Sequence, residues 1–491
     1  MAHWEIQGWM ILILGWVFVP FYTRSMVYTM PEFLERRYNP QSRTILSVIS
    51  LVSYVLTKVA VTVYAGGLVF QQVFGIKELW GIDFFWIAAI GLVVLTALYT
   101  IFGGMKSVLY TSVLQTPILL LGSLIILVLG FKELGGWDEM MRVCGAVTVN
   151  DYGDTMTNLI RSNDDANFPW LGALIGSAII GFWYWCTDQF IVQRVLSGKN
   201  EMEARRGTIF GAYLKLLPVF LFLIPGMIAF ALHQKYIGAG GEGFLPMLAN
   251  GTANADAAFP TLVAKLLPAG VKGLVVCGIL AALMSSLASL FNSSAMLFTI
   301  DFYKRFRPET PEKKLVGIGQ VATVVIVILG ILWIPIMRSV GDVLYTYLQD
   351  VQSVLAPGIA AAFLLGICWK RTSAQGGMWG LIAGMVIGLT RLGAKVYYSN
   401  AGEVADSTFK YLFYDMNWLF FCGWMFLFCI IVVIVVSLAT KAPTAEKIQG
   451  LVFGTATKEQ KAATRASWNH WDIIHTVIIL AITGAFYWYF W

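Results

Sequence analysis

The chain has 491 residues, of which 58% are hydrophobic and only 13% are charged. A soluble globular protein carries about a quarter of its residues as charged side chains, so this composition excludes an ordinary soluble protein and predicts an integral membrane protein. The formal net charge is +6, but the basic residues lie in short loops between apolar runs. This scattered arrangement argues against nucleic acid as a partner.

Apolar runs long enough to cross a bilayer as helices, about 20 residues each, number roughly twelve. In chain order they centre near residues 4–23, 44–75, 79–102, 107–131, 169–195, 204–232, 270–304, 315–337, 341–368, 376–397, 414–440 and 470–491. The hydrophilic stretches 134–168, 234–268, 398–412 and 441–469 are predicted loops.

Basic residues set the predicted orientation. If the loop after the first span is cytoplasmic, that side collects roughly 21 Lys and Arg against roughly 11 outside, as the positive-inside rule requires. The loops 134–168 and 234–268 then face outward, and so do the first residues of the chain. Because a chain that begins outside with an inward span is uncommon, we expect its start to be truncated or misassigned.

The sequence offers no chemical energy source. It has no Gly-x-x-x-x-Gly-Lys-Ser/Thr phosphate loop, and the glycine-rich residues 238–241 lie in a predicted external loop. No serine has the His and Asp partners of a nucleophile, and the four histidines make no metal-ligand spacing with the cysteines. Among the six cysteines only Cys144 is predicted to be exposed, so no disulfide framework is expected. The remaining classes are a gradient-driven transporter and a channel, not an enzyme.

The fifth apolar run ends in an unusual way. Residues 181–194 read Gly-Phe-Trp-Tyr-Trp-Cys-Thr-Asp-Gln-Phe-Ile-Val-Gln-Arg. Ionisable groups at membrane depth are costly and usually mark a substrate or ion path. The cluster Trp183, Tyr184 and Trp185 offers flat apolar faces on which the C–H face of a pyranose can stack. An interfacial aromatic belt followed by a cytoplasmic cap explains the same residues, and both interpretations stay open.

Two further polar side chains lie inside apolar runs. Lys215 needs an acceptor if it is buried, although it could also snorkel to the interface. Gln349 precedes Ala356-Pro357-Gly358, where a break in the helix is expected because proline and glycine release backbone groups. Solutes of secondary transporters bind near the midplane at such polar groups and broken helices.

Adjacent hydroxyls mark the run 270–304. Ser285 and Ser286 follow Ala282 in an otherwise apolar segment. Oxygen donors suit Na⁺, a hard cation, and two hydroxyls with a carbonyl freed by an irregular turn would form half of a sodium cage. Helix packing is the alternative explanation of such hydroxyls in membranes.

The string from Trp183 to Arg194 resembles the sugar-site helix of the sodium–glucose cotransporter branch of the sodium/solute symporter family. The likeness extends from Glu5 to the last apolar segment. It implies an all-α integral membrane protein with two inverted five-helix repeats and extra C-terminal helices. The implied units are a first repeat at 1–133 that lacks its first core helix, an external loop at 134–168, a second repeat at 169–372 and three C-terminal spans at 373–491.

The resemblance also implies roles for individual residues. It assigns sugar binding to Glu5, Tyr184, Trp185, Lys215 and Gln349, and it assigns gating to Trp4, Tyr184 and Tyr345. The implied sodium ligands are the carbonyl of Ala282 and the hydroxyls of Ser285 and Ser286. Glu accepts hydrogen bonds, Lys donates them and Gln does both, so the set would suit complementary hydroxyls of one polyol.

The implied function is import of a hexose such as glucose or galactose, driven by Na⁺ across a lipid bilayer. A myo-inositol or other polyol carrier and a non-accumulating sugar sensor or leak channel are the alternatives. The sequence departs from relatives at Gly181, Gly8 and Ser112, the last of which stands where relatives usually have Asp. Relatives thought to take a second sodium have that Asp, and they have a Thr at the position of Ala288. Because this chain lacks both, we expect one sodium per sugar. Animal relatives carry a cysteine-rich external loop, whereas the loop 234–268 has no cysteine. This difference favours a bacterial cytoplasmic membrane.

Overall fold

The computed structural model describes residues 2–27, 29–248, 251–340, 343–401 and 405–490, with the backbone alone at 99, 101–109, 111, 114 and 338–340. Helices make up most of these ranges. A short antiparallel hairpin, β1 (Glu78–Leu79) and β2 (Ile82–Asp83), pairs Glu78 with Asp83 and Leu79 with Ile82.

The α-helices of the described ranges follow in chain order. The first half of the chain contains α1 (Ala2–Glu5), α2 (Gly8–Ile13), α3 (Val19–Ser25), α4 (Met30–Arg37), α5 (Pro40–Ser53), α6 (Ala60–Phe74), α7 (Phe84–Leu134), α8 (Trp137–Gly145), α9 (Trp170–Gly181), α10 (Gln189–Leu196), α11 (Glu201–Pro218) and α12 (Ile224–Gly238). The second half contains α13 (Ala258–Leu266), α14 (Ala269–Met296), α15 (Lys304–Phe306), α16 (Glu312–Val340), α17 (Leu344–Cys368), α18 (Ala374–Asn400), α19 (Thr408–Lys410), α20 (Trp418–Ala439), α21 (Lys458–Ala466) and α22 (His470–Tyr489).

Wider π-helical turns interrupt several of the long helices. They comprise Leu14–Phe18, Tyr54–Val59, Phe182–Thr187, Val219–Leu223, Leu297–Tyr303 and Tyr411–Asp415. Short 3₁₀ turns lie at Ala255–Ala257 and Ala445–Lys447. Because π-turns are rare and frequently accompany functional sites, the turn that carries Tyr184 and the turn that carries Lys58 are of particular interest.

Eleven helical segments of the described ranges are long and apolar enough to cross a membrane, against roughly twelve predicted. The difference lies in α7, where Gln115–Leu134 is long enough to cross a membrane and Phe84–Leu98 is a shorter apolar segment. The gap predicted between the spans 79–102 and 107–131 was wrong, since the backbone there is helical. Glycines within a helix cost about 1 kcal/mol each but do not forbid it, so Gly103 and Gly104 did not end the helix.

Polar caps mark where many helices begin. The side chains of Asn39, Asn200 and Ser373 accept hydrogen bonds from the first turns of α5, α11 and α18. Such caps satisfy backbone N–H groups that the helix itself leaves without partners. At the other end of α6 and of α7, Gly75 and Gly135 adopt positive φ angles of 66° and 112°. Glycine tolerates this left-handed conformation without a steric penalty.

Helix α17 forms the centre of the fold, and most of its side chains are buried. It continues through Pro357, so the predicted break at residues 356–358 was wrong. A proline removes one N–H and need not end a helix whose neighbours pack tightly around it. Helix α18 approaches closely at this point: a Cβ on Gly358 would lie 2.9 Å from the Cα of Gly384.

The surface and core agree with a membrane environment. Large apolar side chains are exposed along α16, for example Val321, Val324 and Leu332. Cys144, predicted to be exposed, is buried, and its Sγ lies 3.7 Å from the carbonyl oxygen of Met227. The prediction failed because α8 folds back onto α12 and covers that face of the loop. Cys277 and Cys368, which were not predicted to be exposed, are exposed instead, and all six cysteines are free.

Candidate sugar and sodium site

The predicted sugar residues Glu5 and Lys215 meet across two helices. Lys215 in α11 donates from Nζ to Oε2 of Glu5 in α1 at 2.5 Å. The side chains are 14% and 24% exposed, so both are shielded yet still reachable. Lys215 therefore has the buried acceptor that the sequence required and does not need to snorkel to the interface.

Tyr345 joins the same cluster from α17. Its hydroxyl donates to Oε1 of Glu5 at 3.2 Å, so each oxygen of this carboxylate has a donor. Trp4, the other predicted outer-gate residue, is the sequence neighbour of Glu5 and packs on Trp418 with ring centroids 5.4 Å apart. We call Glu5, Lys215 and Tyr345 the outer triad.

The aromatic pair lies beside the outer triad. Tyr184 and Trp185 belong to the π-helical turn Phe182–Thr187, and their rings meet edge to face at 5.1 Å. The ammonium of Lys215 lies 5.6 Å from the centroid of the Trp185 ring. A ring face and a charged hydrogen-bonding group thus border the same space.

Gln349 lies one turn after Tyr345 on α17 and is 7% exposed. Its side-chain oxygen, Oε1, is buried and has no hydrogen-bond partner among the described residues. Leaving a buried acceptor without a donor costs about 1–3 kcal/mol. A hydroxyl group of a bound solute would remove this cost.

The predicted sodium residues are only partly gathered. Ser285 is 7% exposed, and its Oγ lies 2.6 Å from Oγ of Ser112 on α7. Ala282 is half-buried and Ser286 is exposed. Helix α14 runs without interruption from Ala269 to Met296, so the expected irregular turn was wrong. No three His, Cys, Asp or Glu side chains of the described ranges converge on a metal site.

Asp188 and Arg194, singled out in the sequence, have separate partners. Asp188 pairs with Lys58, and it also accepts a hydrogen bond from the hydroxyl of Tyr54 at 2.8 Å. Arg194 donates to the hydroxyl of Ser289 in α14. We call Tyr54, Lys58 and Asp188 the inner triad.

Sequence reasoning missed Lys58 and Tyr54. The available signal was the lysine itself, since Lys58 lies in the middle of the predicted span 44–75. A basic side chain at that depth requires an acidic partner. The partner could not be identified from the sequence, because Asp188 lies 130 residues away.

Comparison with known proteins identifies the family. Residues 2–384 match the model of the sodium:solute symporter family. The chain belongs to this family. Its relatives are sodium-coupled transporters rather than enzymes, which makes the chain a sodium-coupled symporter with Na⁺ as the coupling ion.

Three relatives illustrate the range of solutes in the family. The chain is 36% identical to the sodium/mannose cotransporter SLC5A10 of Bos taurus, over 98% of this chain and 83% of the relative. It is 35% identical to the sodium/myo-inositol cotransporter 2 of Homo sapiens, over 92% and 68%. It is 37% identical to the sodium/glucose cotransporter 1 of Ovis aries, over 88% and 67%.

A solved structure supports the fold. A Na⁺-coupled sialic acid symporter in a substrate-bound outward-open state matches with a TM-score of 0.68 over 90% of this chain and 84% of that chain, at 20% sequence identity. The predicted all-helical transporter fold in a membrane is thereby confirmed, while the boundaries at 133, 168 and 372 stay predictions. The three relatives described here come from animals, so the expected bacterial membrane is not supported.

Proposed function

We propose that this symporter imports a neutral hexose such as glucose or galactose together with sodium. The observation that carries the proposal is the outer triad, with Gln349 and the two aromatic rings beside it. Lys215 supplies N–H donors, Glu5 supplies acceptor oxygens, and the amide of Gln349 supplies both. These are the groups that hydroxyls at several positions of one ring require.

The charges of the outer triad favour a neutral solute. Glu5 and Lys215 form an ion pair at 2.5 Å, so their formal charges cancel. An anionic or cationic solute would leave one charge of the site without compensation in a poorly solvated place, which is costly. Carboxylates and amines are therefore poor candidates, whereas a polyol exchanges hydrogen bonds with both partners.

The rings supply the apolar part of the recognition. The C–H face of a pyranose would lie on Tyr184, with Trp185 at its flank and the outer triad along its hydroxyl edge. Tyr345 and Trp4 would shield the solute from the outer side, and Tyr184 would shield it from the inner side. Alternating exposure of one central site is how secondary transporters with inverted repeats work.

Sodium would bind at the hydroxyls of Ser285 and Ser286 and at the carbonyl oxygen of Ala282, which keeps a second lone pair for a cation within the uninterrupted helix α14. The 2.6 Å contact between Ser285 and Ser112 is compatible with this role, because a hydroxyl can donate to its neighbour while its oxygen faces a cation. Ser112 brings no carboxylate, and Ala288 brings no further hydroxyl. One sodium per sugar is the expected ratio, and two charges per sugar with a sigmoidal sodium dependence would contradict it.

A myo-inositol or other polyol carrier is the second candidate. It is supported by the 35% identity to a sodium/myo-inositol cotransporter. A cyclic polyol presents hydroxyls to the same triad but lacks the ring oxygen of a hexose. A sensor or leak channel differs from both because it does not accumulate its solute.

The test is uptake by purified protein in proteoliposomes. Radiolabelled D-glucose, D-galactose, D-mannose and myo-inositol are offered with an inward sodium gradient and, as control, with potassium in place of sodium. We expect sodium-dependent accumulation of glucose or galactose above the external concentration. Accumulation of myo-inositol alone would support the second candidate, and equilibration without accumulation would reject symport of these solutes.

A further inference from the structure

The helix that contains the aromatic pair is interrupted before α10. After the π-helical turn Phe182–Thr187, Asp188 is extended, with φ −79° and ψ 127°. A break within an apolar segment releases backbone groups that the protein must satisfy internally. Here the N–H of Phe190 lies 3.0 Å from Oδ1 of Asp188 and 3.1 Å from the hydroxyl of Tyr54. A side chain from another helix therefore takes part in holding this break.

The inner triad ties this break to a π-helical turn in a second helix. Lys58 donates to Oδ2 of Asp188, and Tyr54 donates to Oδ1. Taken as whole residues, backbone included, Lys58, Asp188 and Tyr54 are 8%, 4% and 1% exposed. Lys58 and Tyr54 both belong to the π-helical turn Tyr54–Val59. Two irregular turns, far apart in the chain, thus meet through one buried ion pair.

Aromatic rings surround the ammonium of Lys58. Its Nζ lies 4.4 Å from the ring centroid of Phe190, 4.8 Å from that of Tyr54 and 5.0 Å from that of Tyr184. A cation within about 6 Å of a ring face is attracted to it, most strongly where water is excluded. Lys58 therefore contacts at the same time the carboxylate at the break and the ring proposed to carry the sugar.

We propose that Lys58 is a positioning residue for the Tyr184 ring. Asp188 and Tyr54 hold the ammonium of Lys58, and the ammonium holds the Tyr184 ring beside the sugar. The contact between the ammonium and the Tyr184 ring loosens when solute leaves past the ring. The role of the ring as a sugar contact rests on the proposed function. The link between the ion pair and the packing of the π-turn at 182–187 is independent of the proposed function. It can be measured without any solute.

The first experiment measures the labelling rate of Cys186 by a thiol reagent in the purified protein without sugar. Cys186 is fully buried and directly follows Trp185, and it is kept as the single cysteine by replacing the other five with serine. We expect Lys58→Met to accelerate labelling by about tenfold, the size of a desolvated cation–π contact. Lys58→Arg, which keeps the charge, should stay close to the parent.

Two controls separate a local effect from general loosening. A second reporter keeps only Cys429, which is also fully buried but lies in α20. Arg391→Met removes another fully buried cation, which donates to the carbonyls of Leu412 and Met416. We expect Lys58→Met to leave Cys429 unchanged and Arg391→Met to leave Cys186 unchanged. Equal acceleration at both reporters, or none at Cys186, would overturn the proposal.

The second experiment is a double-mutant cycle with Tyr184→Leu, read as the half-saturation concentration for D-glucose, or for whichever of the four solutes the protein accumulates. If Lys58 acts through the ring, the double variant should change the half-saturation concentration by less than the product of the changes in Lys58→Met and Tyr184→Leu. Independent, multiplying effects would reject the positioning role. If the parent protein accumulates none of the four, the proposed function fails, and the Cys186 rates alone decide whether Lys58 positions this turn.

Discussion

The outer and inner triads use the same three kinds of side chain in different surroundings. Glu5, Lys215 and Tyr345 form one, and Asp188, Lys58 and Tyr54 form the other. The lysine and carboxylate side chains of the outer triad are 14% and 24% exposed, whereas those of the inner triad are 9% and 2% exposed.

The degree of burial therefore distinguishes the roles of the two triads, although both consist of a lysine, a carboxylate and a tyrosine. In the outer triad the groups are reachable and lie beside Gln349, whose acceptor has no partner in the described structure, so they can exchange hydrogen bonds with a solute. In the inner triad the ammonium is enclosed by aromatic rings and the carboxylate also accepts a hydrogen bond from the backbone N–H of Phe190, so the groups hold the backbone instead.

The largest difference is expected between two alanine substitutions. Asp188→Ala leaves the ammonium of Lys58 buried without its counter-charge, which typically costs about 3–5 kcal/mol. Glu5→Ala leaves the better-solvated Lys215 and should cost less folding stability while it removes uptake. Thermal unfolding of both purified variants in detergent checks this. Equal loss of stability would show that the triads do not differ in the way proposed.

Within the proposed sugar site, Lys215→Ala and Gln349→Ala should weaken uptake strongly while expression stays intact. Each removes one side of a buried hydrogen bond, worth about 1–3 kcal/mol or roughly five- to a hundredfold in affinity. Lys235→Ala is the matched control, because Lys235 donates to the carbonyl of Leu134 far from the triads. Unchanged uptake by reconstituted Lys215→Ala or Gln349→Ala protein would reject the site assignment.

Ser286→Ala should raise the sodium concentration needed for half-maximal uptake and leave the order of competing sugars unchanged. The physical reason is that its hydroxyl is proposed to bind the ion and not the solute. Ser399→Ala, at an exposed position in α18, serves as control. A change in sugar selectivity with unaltered sodium activation would mean that α14 contacts the solute instead.

The smallest effect is expected at the predicted outer end of α17. Oδ1 and Oδ2 of Asp256 each lie 3.2 Å from the backbone N–H of Leu344, which begins the helix that carries Tyr345 and Gln349. Asp256→Ala should raise the half-saturation concentration for sugar by about twofold, since a lost cap typically costs about 1 kcal/mol and is only partly transmitted. Asp256→Asn, which keeps an acceptor, should have less effect.

The same residue gives a pH test. Burial raises the pKa of Asp256 above its usual value, opposed in part by the hydrogen bond from Leu344. The folded protein then holds this proton more readily than the unfolded chain, so the contribution to stability is present below the usual Asp pKa and is lost as pH rises through the folded value. Asp256→Asn should flatten that part of the stability–pH curve. An unaltered curve would contradict the assignment.

The helical membrane fold was predictable because apolar runs of about 20 residues have few other solutions. Glu5, Lys215 and Gln349 were predictable as candidates because polar side chains in such runs stand out. The meeting of Lys58 with Asp188 was not, since it depends on how two distant spans pack. The continuity of α17 through Pro357 and of α7 through residues 103–104 also depended on neighbouring helices, which local propensity does not describe.

Tyr54–Val59 and Phe182–Thr187 are π-helical turns, and this has a consequence for chain length. A π-turn accommodates one residue more than an α-turn while the helix continues in nearly the same direction. Deleting one residue there can restore a regular helix, whereas a deletion elsewhere in a span rotates all later side chains by about 100°. The turn that carries Lys58 continues directly into α6 and is thus the place where this span can best absorb a change of one residue, whereas the turn that carries Tyr184 ends at the extended Asp188.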